Sequence, residues 1–384
     1  MSHGAGGESK ARSFVSITSL TLGSFYINLP IGAAVMLGFF LTFQSPDRSR
    51  DQSAKDIKPS TWMASISRFD PLGTVIFIPA IICLLLALEW GGTKYAWTNG
   101  RIIALFAVSA ALLIAFCFIQ KLVGENATLP VRIVNQRSMM ASMWFTICLN
   151  GSFYIPGYFL PIWFQAIKGV SAFESGIMGI PLLLGLIIMS VVAGVAVTTF
   201  GYYMVAMIIS SVIMTIAAGL LTTFKTTSGP SAWIGFQALF GIGIGLGFQQ
   251  PLTCVQTVFG LDDAATAISA IMFLQSLGGA LFVSVASNVF NVRLVNGLSS
   301  VPGVTPAQVL QAGATNLMQT VAPEHINQVR VIYNQALTNT WYVAVALAAM
   351  SLVGAVFVEW RSVREIRPGR RWTASATELS SFDG

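Results

Sequence analysis

The chain has 384 residues, of which 54% are hydrophobic and only 9% charged, and its formal net charge at neutral pH is +6. Soluble domains carry about a quarter charged residues, so this composition excludes a water-soluble globular domain. The basic residues lie between apolar stretches, where they set membrane orientation, and this argues against nucleic acid as a partner.

A membrane-crossing helix needs roughly 20 apolar residues. Nine stretches qualify, at about 14–43, 71–90, 102–120, 139–166, 176–197, 202–221, 232–259, 264–290 and 338–358. Backbone polar groups find no water in lipid, which leaves helices or a closed barrel. Continuous runs such as Ile76 to Leu88 lack the alternation of barrel strands. The expected fold is therefore all-α, a polytopic integral membrane bundle of about nine helices.

Met1 to Arg12 is polar and small-residue-rich, and no cleavage site follows it that would mark a signal peptide. Residues 1–22 thus form an atypical N-terminal segment. Phe25-Tyr26-Ile27-Asn28-Leu29-Pro30-Ile31-Gly32 reads as an aromatic, proline-bearing entry to the first span. Asp70 before Pro71 has the form of an N-cap followed by proline at the first helical position, and Asp262 or Asp263 is expected to cap the eighth span similarly. Glu89 beside Trp90 is expected at the membrane interface.

Cys83, Cys117, Cys148 and Cys254 are scattered through apolar spans, and the histidines, His3 and His325, have no companion ligands. No metal site, disulfide framework or cofactor is expected. In the seventh span, Gly241, Gly243, Gly245 and Gly247 lack the strand-to-helix context of a phosphate-binding loop. Their four-residue spacing suits close helix packing, as do Gly278 and Gly279.

Polar residues inside spans carry a functional presumption. Gln249, Thr253 and Gln256 fall at i, i+4 and i+7 on one helical face, and Asn150, Gln237, Gln275 and Asn288 are the other amides in membrane positions. Two readings stand: interhelical hydrogen bonding, or the lining of a substrate cavity. Tyr154 and Tyr158, with Phe153, Phe164, Phe248 and Phe273, could supply its apolar walls. No carboxylate lies at a span centre.

The loop Thr198 to Tyr203 is short and free of basic residues. An outer loop at about 292–337 is expected to hold short surface helices and an interface-lying segment. The sequon Asn126-Ala127-Thr128 falls on the expected cytoplasmic side, and residues 359–384 form an Arg-rich, then Ser/Thr-rich tail. Thirteen of the 21 Lys and Arg residues follow the first, third and ninth spans or lie in the tail, which puts the C-terminus in the cytoplasm. With nine spans the N-terminus would face outward, against the local preference of Lys10 and Arg12.

The Phe25 to Gly32 segment resembles the "FYINLPIG" element opening the sixth span of fourteen-spanner drug:proton antiporters, a branch of the major facilitator superfamily. Further landmarks follow in order: Phe69 to Gly73, Leu88 to Gly92, Tyr158 to Gln165, Ser175 to Ile177, Gly241 to Pro251 and Gln275 to Ala280. The resemblance runs from about residue 23 to about residue 358. It implies that 23–43 is the last helix of an N-terminal half and that 44–138 holds a cytoplasmic loop and two linker helices. Residues 139–358 would be the C-terminal six-helix transporter domain. Five earlier spans, with the family's loop motif and its antiporter motif, are not found, so the chain reads as N-terminally truncated.

The function this implies is export of small amphipathic organic molecules against a proton flow, in the plasma membrane, with the lipid bilayer, the substrates and protons as partners. The competing reading is a non-transporting remnant, at most a partner of another transporter. A membrane enzyme is not expected, because no nucleophile–base or metal-ligand constellation is present.

Overall fold

The computed structural model describes residues 30, 32–33, 35–39, 70–92, 94–124, 127, 129–301 and 323–366. The chain divides into units Met1–Trp62 and Met63–Gly384. The described residues of the first are helical. Most of the expected span at 14–43, the segment 1–22, the sequon residues 126 and 128, and the tail beyond 366 lie outside the described residues.

In the second unit, α1 (Pro71–Trp90) and α2 (Gly100–Val123) form a hairpin. A single turn, α3 (Val131–Val134), leads into α4 (Arg137–Trp163), which runs on as a π-helical turn, Phe164–Lys168. Then come α5 (Ala172–Met178), α6 (Ile180–Phe200), α7 (Tyr203–Leu221), α8 (Pro230–Gly247), α9 (Gln250–Val258), α10 (Leu261–Leu298) and α11 (Ile326–Phe357). A 3-10 turn, Val363–Ile366, ends the described chain. Among the described residues the only extended pairing is an isolated bridge, Gly91 to Tyr95.

Local chemistry sets the ends. Proline occupies the first turn of α1, α6, α8 and α9, where its missing N–H costs nothing. Ser171 and Glu174 make a reciprocal capping box on α5. Asn99 caps α2 by accepting from the Arg101 N–H at 3.0 Å. Gly124, Gly169 and Gly201 take the positive φ at which α2, the π turn and α6 stop.

Seven helical stretches are long and apolar enough to cross a membrane, counting α5 with α6 and α8 with α9. The remaining expected span in this unit is α4, which has 27 residues but carries Ser138, Ser142, Thr146, Asn150 and Ser152, all buried. These hydroxyls and amides dilute its hydropathy and turn inward. Trp163, Trp341, Phe145, Phe159, Phe164, Tyr203 and Phe240 fill the centre of the α4–α11 bundle. Leu183, Leu184, Ile187, Ile188, Val191 and Val195 of α6 are instead exposed, as suits a face toward lipid.

The α1–α2 hairpin is seated on α10. Phe77 packs on Phe116 at 4.6 Å and on Phe273 at 5.2 Å between ring centroids. Asn288 Nδ2 donates to the Leu88 carbonyl at 2.7 Å. Within the hairpin, Ser109 Oγ donates to the Ala80 carbonyl at 2.8 Å. At its base, Asp70 sits at φ 45°, tolerated by a short polar side chain. Its Oδ1 accepts the Gly73 N–H at 2.9 Å, and its Oδ2 accepts from Gln120 Nε2 at 2.6 Å. Gln120 Oε1 takes the Leu129 N–H at 2.9 Å, so one carboxylate organises α1, α2 and the following loop.

Three expectations are corrected. The cap of α10 is Gly260, in extended backbone, whose carbonyl accepts from Asp263 and Ala264; Asp262 is inside the first turn instead. Asp263 pairs bidentately with Arg132 at 2.8 and 2.9 Å. The outer loop is shorter than 292–337, because α10 runs to Leu298 and α11 starts at Ile326. The supposed interfacial segment is the first turns of α11, which bury Val329 and Tyr333 in the same core as Leu294 and Leu298 of α10.

The glycines of α8 hold it between two neighbours. A Cβ on Gly241 would collide with the Leu182 carbonyl of α6, and one on Gly245 would lie 2.5 Å from the Leu186 carbonyl. On the other side, a Cβ on Gly243 would be 2.8 Å from the Met214 N of α7, and one on Gly247 would collide with Ser210 Oγ. Gly278 of α10 and Gly354 of α11 approach the Ile147 and Ala141 carbonyls of α4 in the same manner, and Gly279 lies beneath the Tyr154 ring.

Two outcomes follow for the purified chain in detergent. Gly241→Ala is expected to lower stability by about 1–3 kcal/mol, because a methyl group must displace backbone. Gly235→Ala, on the same helix with nothing within 4 Å, is expected to leave it unchanged. Thermal unfolding of the two variants side by side checks this, and equal effects would remove the packing role. Asp70→Ala should cost about 1–3 kcal/mol through the lost cap and the orphaned Gln120 amide, with Asp70→Asn milder. A wild-type melting temperature in Asp70→Ala would show that the buried carboxylate does not organise the hairpin.

Candidate functional site

Two membrane-length stretches are interrupted, one between α5 and α6 at Gly179 and one between α8 and α9. Pro251 has no N–H to offer the Gly247 carbonyl, and a residue preceding proline is disfavoured in helix. Phe248 still donates to Ile244 at 2.9 Å, and Thr253 donates to Gln249 at 3.1 Å, so the two helices meet at Phe248 and Gln249. The interruption is one of hydrogen bonding, since Phe248 and Gln249 keep right-handed helical dihedrals.

Several residues singled out in the sequence gather at this break. The Phe248 carbonyl accepts from Gln275 Nε2 of α10 at 3.4 Å. The Phe248 ring stands edge-on to Phe153 of α4 at 6.5 Å, and Phe153 stands edge-on to Tyr154 at 5.4 Å. With Gly279 beneath the Tyr154 ring, α4, α10 and the break form one aromatic and amide surface. Tyr154 and Tyr158 are 43% and 54% exposed, and Phe273 40%, so this face of the unit is open. Gln249 and Gln256 are exposed and Gln275 half-buried.

The other three amides sit elsewhere, Asn288 on the Leu88 carbonyl of α1. Asn150 is buried on α4, with Nδ2 donating to its own helix at the Thr146 carbonyl, 2.9 Å away. Gln237 is buried on α8 and donates to the Met178 carbonyl of α5 at 3.1 Å, beside the kink at Gly179. Neither Asn150 nor Gln237 shares the open face.

Two features escaped the sequence reading. Gln250 is 2% exposed, spends its Nε2 on the Leu246 carbonyl at 3.1 Å and leaves its Oε1 unpaired inside the protein. The signal for it was Pro251, whose missing N–H interrupts the helix at this point and marks where α9 starts. The second is a brace at the tail end of the bundle. The basic group missing from the 198–203 loop comes from the tail: Arg364 donates to the Thr199 carbonyl, and the Val363 N–H donates to the Gly201 carbonyl at 2.9 Å. Glu359 is held by Gln136 at 3.4 Å, by Arg361 at 3.0 Å and through its own N–H on Ser138 Oγ at 3.3 Å. Arg137 Nε donates to the Phe357 carbonyl at 2.9 Å. The ends of α4, α6, α7 and α11 are thus tied to one short segment.

Among the described residues every carboxylate lies at or next to a helix end: Asp70, Glu89, Glu174, Asp262, Asp263, Glu324, Glu359 and Glu365. No cluster of three or more His, Cys, Asp or Glu that could hold a metal occurs among them.

The model of the Major Facilitator Superfamily matches residues 13–283. An MFS-type efflux pump of Arthroderma benhamiae is 48% identical over 341 residues, covering 88% of this chain and 62% of its own length. An aspyridones efflux protein of Neocamarosporium betae is 44% identical over 342 residues, 88% of this chain and 60% of its own. An acetylaranotin efflux transporter of Aspergillus terreus is 45% identical over 339 residues, 88% of this chain and 74% of its own. The chain spans about three fifths of the length of the first two of these relatives. Its all-helical membrane bundle, its broken span and these matches together place it in one family: the chain belongs to the major facilitator superfamily.

Proposed function

We propose that this chain supplies the C-terminal six-helix part, residues 139–358, of a fourteen-spanner proton-coupled exporter of small amphipathic organic molecules. The open face carrying Tyr154, Tyr158, Phe248, Gln249, Gln256 and Gln275 is its share of the substrate path. The observation that carries this reading is the broken span at Phe248 and Gln249. Discontinuous helices near the midplane supply free backbone groups to transported ligands, and here the break is ringed by aromatic walls and amides, the chemistry of a drug-sized apolar site. The names of two relatives, an aspyridones efflux protein and an acetylaranotin efflux transporter, point the same way.

The carboxylates at helix ends support placing the proton-carrying acid of such a cycle outside residues 139–358. The basic residues after α2 and in the tail favour a cytoplasmic C-terminus, and the plasma membrane is the proposed location because export from the cell requires it.

In a full-length version carrying the remaining spans of such a transporter, Gln256→Leu is expected to change which toxic compounds the cell resists, at unaltered protein abundance. Loss of resistance to all compounds in step with abundance would refute the cavity assignment. For topology, single cysteines at Ser299 and Ser380 in a cysteine-free background should react with an impermeant thiol reagent only at position 299 on intact cells. Labelling at position 380 alone would reverse the orientation.

A further inference from the structure

At the end of the bundle remote from the tail, α4 unwinds through the π turn Phe164–Lys168 and stops at Gly169, φ 70°. Lys168 Nζ donates to the Thr226 carbonyl at 2.9 Å and lies 5.3 Å from the centre of the Trp163 ring. Trp163 Nε1 donates to Asn334 Oδ1 at 2.7 Å, and Asn334 Nδ2 donates to the Phe224 carbonyl at 2.9 Å, which brings the start of α11 to the same place. Arg330 lies one turn before Asn334 on that helix. Its Nε is enclosed by protein without an acceptor, and its guanidinium makes no hydrogen bond or ion pair among the described residues.

The nearby acids are engaged elsewhere. Glu324 is 77% exposed and 3.7 Å from His325, and Glu174 serves the Ser171 capping box. Residues 302–322 contain no Asp or Glu.

A guanidinium stays charged at any physiological pH, and an enclosed N–H with no acceptor is destabilising. Dehydration and the Arg330 charge both lower the pKa of Lys168. The Trp163–Asn334 bond brings Lys168 and the Arg330 turn of α11 into one neighbourhood, and among the described residues no carboxylate bonds either cation, so the place is one that an anion completes. The edge of a guanidinium presents parallel N–H groups that match the two oxygens of a carboxylate, and an ammonium adds a point charge. Beside them Tyr333, one turn from Arg330, packs on Phe290 at 5.2 Å; Phe290 packs on Phe159 at 5.8 Å and Phe159 on Tyr158 at 5.0 Å. An aromatic row therefore leads from the exposed Tyr158 of the open face to the cation pair.

We propose that Lys168 and Arg330 form a carboxylate-binding site at this end of the bundle, and that the exported compounds include aromatic organic monoanions. The second clause rests on the export reading above; the site itself does not.

The test uses the full 384-residue chain in phosphatidylcholine nanodiscs with 2-naphthoate as probe, read by quenching of tryptophan fluorescence, Trp163 being beside Lys168. Saturable binding of 2-naphthoate is expected, with none of its neutral isostere 2-naphthamide. Arg330→Gln and Lys168→Gln should each weaken binding by about tenfold or more, and Lys168→Arg should retain it. Equal binding of acid and amide, or unchanged binding in both Gln variants, overturns the site. Displacement of 2-naphthoate by an equal concentration of chloride overturns its carboxylate character in favour of a simple inorganic-anion site. Should Arg330→Gln fail to fold, Lys168→Gln and the wild type decide: 2-naphthoate, and not 2-naphthamide, must raise the wild-type melting temperature. Binding is read here without transport. An inert open face in the resistance assay would leave 2-naphthoate binding intact, whereas absent binding overturns this site even in an active exporter.

Discussion

Close approach of helix backbones is the constraint on which the rest of this structure depends. In lipid the hydrophobic effect does not press helices together, so association relies on dispersion and hydrogen bonds at short range. Here the short range is achieved around α8, whose Gly241 and Gly245 meet α6 while Gly243 and Gly247 meet α7. The absent side chains also bare carbonyls to neighbouring serines. Ser190 Oγ of α6 donates to the Gly245 carbonyl at 3.2 Å, and Ser210 Oγ of α7 to that of Gly243 at 2.7 Å. Between α7 and α11, the Ser211 and Ser351 hydroxyls meet at 2.8 Å. Each contact is modest, on the order of 0.6 kcal/mol, but together they fix the helix that ends at the break.

That fixity gives the break its meaning. Directly after Gly247, the last gripped residue, the chain loses its helical bond to Pro251, with Phe248 half-buried and Gln249 exposed. A firmly held helix end presents Phe248 and Gln249 in a defined position, with Gln275 closing on the Phe248 carbonyl. At the tail end, the segment from Glu359 to Arg364 ties four helix ends together. The unit is thus stiff through its centre and braced at one end, while its aromatic face stays unpartnered within the described residues.

The helical type of the elements and the places of the eight expected spans after the first were legible in the sequence, because length and hydropathy mark most membrane-crossing segments. What failed to show was detail that depends on which side of a helix faces protein. In a soluble helix polarity marks the outer face; in α6 the exposed Leu184, Ile188 and Val195 are as apolar as the buried Leu182 and Val197. The extra turns of α10 and α11 were missed for a related reason, since Asn296, Arg330 and Asn334 read as loop until packing gives them an inward partner or a surface to line. The tail brace could not be seen locally at all, because Arg364 is 165 residues from the Thr199 it completes. Of the candidate site, the residue types were readable and their grouping was not: Tyr154, Gln249 and Gln275 converge only through the break and the glycine beneath Tyr154.

Four of the six buried side-chain amides share a pattern with a physical cause. Asn150, Gln237, Gln250 and Asn288 each donate to a backbone carbonyl, and each leaves its side-chain oxygen unpaired. Inside a helical membrane protein nearly every backbone N–H is consumed by its own helix, whereas a carbonyl keeps a second lone pair. Donors therefore find partners more readily than acceptors do, and the two exceptions have a visible cause: Gln120 Oε1 takes the N–H of Leu129, which lies in a loop rather than a helix, and Asn334 Oδ1 takes the indole N–H of Trp163.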